Sequence, residues 1–216
     1  KTKMLKKNTT VNLIKNKKFN VETKNLPILN PKKIRVKIKA VGVCASDIPR
    51  AYESGAYNYP LIMGHEISGQ IFESNFKNFK KNDKVSIFPL LPCKKCSYCK
   101  KKNFNHCISY SYYGSREDGG YAEYIDVYPW NIIKIPKNVN YIDSFALEPS
   151  AVAHNTVSTL FKKKPKNNEK ILLLGCGFIG LLIAEILKIK YKNLNLTVID
   201  RNEHKLKNVP KIYTTI

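Results

Sequence analysis

The sequence predicts a mixed α/β chain: a strand-rich first part, then the opening of a doubly wound parallel sheet. Three observations carry that expectation. Residues 33–41 alternate polar and apolar with a period of two, the pattern of a half-buried strand in an antiparallel sheet. Ile171-Leu172-Leu173-Leu174 is a continuous apolar run, as in a parallel strand covered on both faces. It leads directly into Gly175-Cys176-Gly177-Phe178-Ile179-Gly180 and a helical pattern to about residue 190. Between these regions, Cys93, Cys96, Cys99 and Cys107 sit in a stretch of loop composition that buries too little apolar surface to fold alone.

Taken in order, residues 11–23 are polar and strand-like, and Pro27 and Pro31 end them. The strand over 33–41 delivers Cys44, and Ser46-Asp47 gives an N-cap signal for a short helix through Tyr52. Residues 55–60 form a Tyr-rich loop, and 67–73 and 83–88 read as further strands. Asp118-Gly119-Gly120 is a turn before a strand over 121–125, and Pro129 and Pro136 bracket another over 131–135. Helix-period apolar residues run from about 142 to 161, interrupted at Glu148-Pro149. The charged segment 162–169, with Pro165 and two Asn, is the expected boundary between domains 1–160 and 161–216.

At 216 residues the chain accommodates one complete domain and the start of a second. A net charge of +22 raises nucleic acid or an acidic membrane as partners. The composition argues against both. Only Arg35, Arg50, Arg116 and Arg201 are arginines; the other basic residues are lysines dispersed among Asn and Ile, as an A/T-rich coding bias produces. No apolar run is long enough to cross a bilayer, and no signal-peptide architecture opens the chain. Met4 reads as an initiator, or the chain as clipped. Six cysteines in such a chain read as metal ligands or free thiols of a reducing, cytoplasmic compartment.

Gly64-His65-Glu66-Ile67-Ser68-Gly69, with Cys44 before it and Glu148 after it, supplies a thiol, an imidazole and two carboxylates. An open zinc site draws on these ligand types and keeps one position for water or substrate. For Glu66 and Glu148 the alternative is a buried carboxylate paired to a base, or a helix-cap role. The cysteines of the loop, in a C-x-x-C-x-x-C pattern with a fourth seven residues on, can wrap one tetrahedral zinc. An iron–sulfur cluster uses related spacings. His106, beside a full set of four thiolates, reads as a surface residue.

In the second part, Gly175 allows a tight turn, Gly177 lets backbone approach a pyrophosphate, and Gly180 lets helix and strand pack closely. Phe178 and Ile179 complete the turn, whose helix N-terminus offers free N–H groups to phosphates. Asp200 ends the next strand, twenty residues after Gly180, where a carboxylate accepts from a ribose 2′-hydroxyl and repels a 2′-phosphate. NAD is therefore expected over NADP, with Arg201 the residue that weakens the preference. Cys176 reads as a small packing residue and His204 as solvent-facing.

The order of these parts resembles the zinc-containing medium-chain dehydrogenase/reductase family, from about Ile34 to Leu206. The resemblance rests on Gly42-Val43-Cys44-Ala45-Ser46-Asp47, Gly64 to Gly69, the cysteine loop, Leu147-Glu148-Pro149 and the glycine turn. Ser46-Asp47-Ile48-Pro49-Arg50, Pro89-Leu90-Leu91-Pro92-Cys93 and the run from Gly114-Ser115-Arg116 to Ile125 lean towards its polyol branch. It implies a GroES-like catalytic domain followed by the first part of a Rossmann domain, truncated at Ile216, with two zincs per chain and NAD. Cys44 and His65 would be constant ligands of the catalytic zinc, and Glu66 and Glu148 carboxylates that alternate or yield to water. Glu148 stands where ethanol-type members use cysteine.

Ser46 would pass a proton outward or simply cap the helix, and Asp47 would orient His65. Arg50 and Arg116 would grip a substrate phosphate or serve as surface ion-pair partners. The implied activity is hydride transfer between NAD and a polyol or sugar-alcohol phosphate of galactitol-1-phosphate type, with no nucleic-acid or membrane partner, in a homo-oligomer of the full-length protein. Sorbitol, butanediol and threonine are alternative substrates. A non-catalytic zinc module or truncated pseudoenzyme with a basic surface is the rival reading. The 216 residues alone are expected to be unstable or inactive; turnover by them would contradict that.

Overall fold

The computed structural model describes residues 6–216 apart from Lys163, Lys164, Lys166, Asn167 and Lys192. Met4, read as an initiator, and four residues of the expected boundary segment 162–169 lie outside the described residues. The chain is mixed α/β and divides into two compact units, Lys1–Glu148 and Pro149–Ile216. That division falls before the boundary read from the sequence, because helix α4 (below) sends Val157 into the core of the second unit.

The first unit opens with β1 (Lys7–Lys15) and β2 (Lys18–Asn25), an antiparallel hairpin where the sequence suggested one strand-like segment. Its turn holds neither Gly nor Pro; Lys17 takes the left-handed conformation instead, with φ 62°. Next come β3 (Ile34–Gly42), α1 (Asp47–Tyr52), β4 (Leu61–Ile62), β5 (Glu66–Glu73) and β6 (Lys84–Ile87). The cysteine loop is less irregular than its composition suggests. It is necked by β7 (Leu90–Leu91) and β8 (Ser111–Tyr112), which pair with each other, and carries the single-turn helix α2 (Ser97–Lys100). The unit continues through β9 (Tyr124–Val127), β10 (Ile132–Lys134) and α3 (Tyr141–Ser144) into α4 (Leu147–Leu160). Pro149 does not interrupt that last helix. It is the third residue, where no intrahelical N–H is needed.

A five-stranded antiparallel sheet, ordered β10-β6-β5-β3-β9, carries the core. Ile34, Val36, Ile67, Ile71, Val85 and Val127 are fully buried in it. Each such side chain contributes about 1.5–3 kcal/mol relative to exposure. β3 lies inside the sheet, so its polar positions are not all wet. Arg35 is 4 % exposed, and Asp126 on β9 takes its Nε and Nη2 at 2.8 Å each. That pairing holds the guanidinium pKa above its ordinary value.

The β3–β5 register positions the site. The strands run antiparallel and Gly42 at the end of β3 faces Glu66 at the start of β5. Cys44, two residues past one strand, and His65, one residue before the other, therefore leave the sheet at the same end.

The second unit is a β11 (Lys170–Leu174), α5 (Phe178–Lys190), β12 (Asn195–Ile199) crossover, then α6 (Glu203–Leu206) and β13 (Thr214–Thr215). Its sheet is parallel, ordered β11-β12-β13. The sequence reading stopped at two strands; β-branched Thr214 and Thr215 add a third. Ala184, Leu187, Leu196 and Val198 fill the space between helix and sheet, while Leu172 and Leu174 on β11 are more than half exposed. Among the described residues no helix is long and apolar enough to cross a membrane.

Candidate functional site

The ligand atoms of Cys44, His65 and Glu66 lie within 4.8 Å of one another, so three residues from two strand ends converge on one point. His65 and Glu66 are buried, at 6 % and 4 % exposure. The thiol of Cys44 is shifted down, chiefly by its hydrogen bond with the His65 ring, with the Ser46 hydroxyl and N–H adding to the effect. At His65 burial pulls the pKa down, but the bond to Cys44 and the charges of Asp47 and Glu148 outweigh it and the net shift is upward. Burial raises Glu66 above the usual carboxylate range. A largely buried thiol, imidazole and carboxyl group suit a divalent borderline-soft cation, and zinc matches all three ligand types.

Asp47, 2 % exposed, organises this cluster from behind. Its Oδ1 is 3.6 Å from His65 Nδ1 and 3.3 Å from Arg50 Nη1. Its Oδ2 accepts from the Cys44 N–H at 3.2 Å and the Tyr121 hydroxyl at 3.1 Å. Ser46 occupies the N-cap position of α1 but makes no side-chain cap bond, so the cap alternative read from the sequence is not realised.

Glu148 is not in the three-residue group. Its Oε1 accepts from the Tyr112 hydroxyl at 2.9 Å, and the Tyr112 ring meets the His65 ring edge-on at 5.8 Å. Tyr112 and Tyr121 were not singled out in the sequence. The only signal was an aromatic run, Tyr110-Ser111-Tyr112-Tyr113, following the cysteine loop.

Beside the cluster opens a cavity of about 250 Å³ lined by Ser46, His65, Tyr112, Arg50 and Arg116, with no carboxylate among the described lining residues. The Arg116 guanidinium lies between the rings of Tyr57 and Tyr110, 4.5 and 4.3 Å from their centroids.

The sulfurs of Cys93, Cys96, Cys99 and Cys107 also lie within 4.8 Å of one another. Backbone N–H groups of Cys99 and Ile108 bring Cys96 down to about 6, while burial pushes Cys99 up to about 12. Four sulfurs this close do not all ionise without a cation among them, and a tetrahedral zinc fits the set. His106 stays outside the group and stacks on Tyr98.

In the second unit, Gly175 has φ 93°, and a Cβ at Gly175 or at Gly177 would meet nothing within 4 Å. Space is therefore open at the N-terminus of α5, whose first turn is Phe178, Ile179 and Gly180. A Cβ at Gly180 would run into the Gly175 carbonyl, so close strand–helix approach needs glycine there. Asp200 accepts from the Cys176 N–H at 2.7 Å and the Asn202 N–H at 2.9 Å, bonds that hold its pKa down. Arg201 is exposed beside it, and so is His204.

A GroES-type sheet carrying a cysteine–histidine–glutamate cluster and a four-cysteine loop defines a zinc-type alcohol dehydrogenase domain. The chain belongs to the zinc-containing medium-chain dehydrogenase/reductase family, and residues 30–137, half of it, match the alcohol dehydrogenase GroES-like domain. It is 35 % identical over 175 residues to galactitol 1-phosphate 5-dehydrogenase of Escherichia coli K12, covering 80 % of this chain and 49 % of that one. The crystal structure of galactitol-1-phosphate dehydrogenase from Escherichia coli superposes with a TM-score of 0.85 at 32 % identity, over 96 % of this chain and 60 % of that one. The Escherichia coli CFT073 short chain alcohol dehydrogenase rspB, complexed with NADH, gives a TM-score of 0.86 at 27 % identity, over 97 % and 62 %. The chain spans about half the length of the curated relatives it matches.

Proposed function

We propose that the protein containing this chain is a zinc- and NAD-dependent dehydrogenase of a polyol or sugar-alcohol phosphate. The observation that carries the reading is the convergence of Cys44, His65 and Glu66 within 4.8 Å at one end of the sheet. When bound, zinc acidifies a substrate hydroxyl and NAD accepts hydride from the carbon that bears it.

The chain's own residues prepare that chemistry. Cys44, His65 and Glu66 hold the ion, and Glu148 stands by as a further carboxylate. Asp47 faces the ring nitrogen of His65 and fixes its orientation. Ser46, in contact with the Cys44 sulfur and lining the cavity, moves the substrate proton outward. Cys93, Cys96, Cys99 and Cys107 hold a second, structural zinc. Gly175, Gly177, Phe178, Ile179 and Gly180 seat the pyrophosphate, and Asp200, with Arg201 beside it, takes the adenosine ribose. Arg50 and Arg116 across the cavity support a phosphorylated substrate, and so does the similarity to galactitol 1-phosphate 5-dehydrogenase.

The test is an NAD-reduction screen of the full-length protein against free and phosphorylated polyols, including sorbitol and butanediol. Turnover of any polyol, lost in His65→Ala, supports the reading. No turnover, one zinc per chain and salt-sensitive nucleic-acid binding would replace it with a non-catalytic zinc module.

A further inference from the structure

Arg50 and Arg116 both line the cavity beside the cluster, but their surroundings give them different work. The charge of Arg50, on α1, is already met. Its Nη1 lies 3.3 Å from Oδ1 of Asp47, a carboxylate only 2 % exposed, and donates to the Ser46 carbonyl at 3.5 Å. The same carboxylate faces His65 and accepts from the Cys44 N–H. Arg50 is thus tied into the frame behind the cluster.

Arg116 has no such partner. Among the described residues it forms no ion pair, and no carboxylate lines its cavity. Its one hydrogen bond there runs from Nη1 to the Tyr110 carbonyl at 3.1 Å. A guanidinium carries five N–H donors in a rigid fork, so most of this one is left for a ligand. The rings of Tyr57 and Tyr110, from two separate loops, lie 4.5 and 4.3 Å from its central carbon. An arginine resting on aromatic rings keeps its charge and fixes its fork before a ligand arrives. Two oxygens of one phosphate group match that fork, and polyol hydroxyls, which carry no charge, bind it more weakly.

We propose that Arg116 is the specificity-determining residue of this cavity, binding the phosphate of a polyol phosphate directly, whereas Arg50 is a positioning residue that steadies Asp47. The proposal rests on the reading of the cluster as the site of polyol oxidation and adds which side chain selects the ester over the free polyol.

The experiment uses the full-length protein, with the polyol it oxidises fastest and the terminal phosphate ester of that polyol. The quantity read is the ratio of the two kcat/KM values, which within one preparation does not depend on the fraction that is folded. The unsubstituted protein favours the ester, and Arg116→Gln lowers the ratio about 10- to 100-fold, the scale of one charge-assisted hydrogen bond. Inorganic phosphate competes with the ester and loses potency in the same variant. Arg116→Lys, which keeps the charge without the fork, restores only part of the ratio. Arg50→Gln lowers both rates together and leaves the ratio standing. The proposal is overturned if Arg116→Gln leaves the ratio unchanged, or if Arg50→Gln lowers it as far. It is also overturned if the unsubstituted protein shows no preference for the ester, in which case the dehydrogenase reading stands without it. If neither form of any polyol is oxidised, that reading falls and takes the proposal with it.

Discussion

The Asp47 carboxylate faces the Nδ1 of His65 at 3.6 Å while accepting a hydrogen bond from the backbone N–H of Cys44. One buried side chain thus touches both residues proposed as constant ligands, from strand ends that the sheet register brings together. We predict that Asp47→Asn, which keeps the shape and removes the charge, weakens zinc binding at this site about 10- to 100-fold. Competition with a chelating dye measures it. Unchanged affinity in a folded variant would remove Asp47 from the account.

Gly42 is tested by addition of a single methyl group. A Cβ at Gly42 would run into the Glu66 carboxylate and the Phe145 ring. We predict that Gly42→Ala loses about 1–3 kcal/mol of stability through overpacking and pushes Glu66 away from Cys44 and His65. Urea midpoint and zinc content should fall together. Loss of stability with full zinc content would separate Gly42 from the site.

The pH dependence has a defined sign at Asp83, next to β6. Its pKa is lowered from the ordinary 3.8, first by the hydrogen bond from Lys134 on β10 and next by the Lys80 N–H. A carboxylate whose folded pKa lies below its unfolded value stabilises the fold above the unfolded value, and this is lost as pH falls through the folded one. Asp83→Asn should therefore be less stable than the unsubstituted protein at pH 7, with the gap closing in acid below pH 3.8. Urea midpoints at the two pH values test this; a gap that widens in acid would contradict it.

Asp200 presents a separate case. Its two bonds to the backbone of Cys176 and Asn202 brace the glycine turn as well as aiming the carboxylate. We predict that Asp200→Ala weakens NADH binding about tenfold, on the scale of one charge-assisted hydrogen bond, with a smaller loss for NADPH. Fluorescence titration of the full-length protein reads both. Equal losses would assign Asp200 to the turn alone.

What the sequence disclosed follows from what is local and what is not. The strand over 33–41 and the crossover at the glycine turn were legible because spacing and residue type encode them within short windows, whereas the joining of Cys44 to His65 and Glu66, far apart in sequence, came from the family resemblance. The β1–β2 hairpin was not, since its turn relies on Lys17 in a left-handed conformation with no glycine to signal it. Arg35 was legible only as a polar position of an alternating strand; the sheet order is what shows that Asp126 lies beside it. Glu148 was grouped with the metal ligands through the family resemblance of Leu147-Glu148-Pro149, and the structure places it beside the three-residue group. Its partner Tyr112, 36 residues away, could be found only in three dimensions.

The central claim, that one ion is held jointly by Cys44, His65 and Glu66 and another by four cysteines, is tested most directly by counting zinc. We expect native mass spectrometry or elemental analysis of the full-length protein to give two zincs per chain, one after His65→Ala, and one after Cys96→Ser. A single zinc per chain that survives His65→Ala would contradict the account.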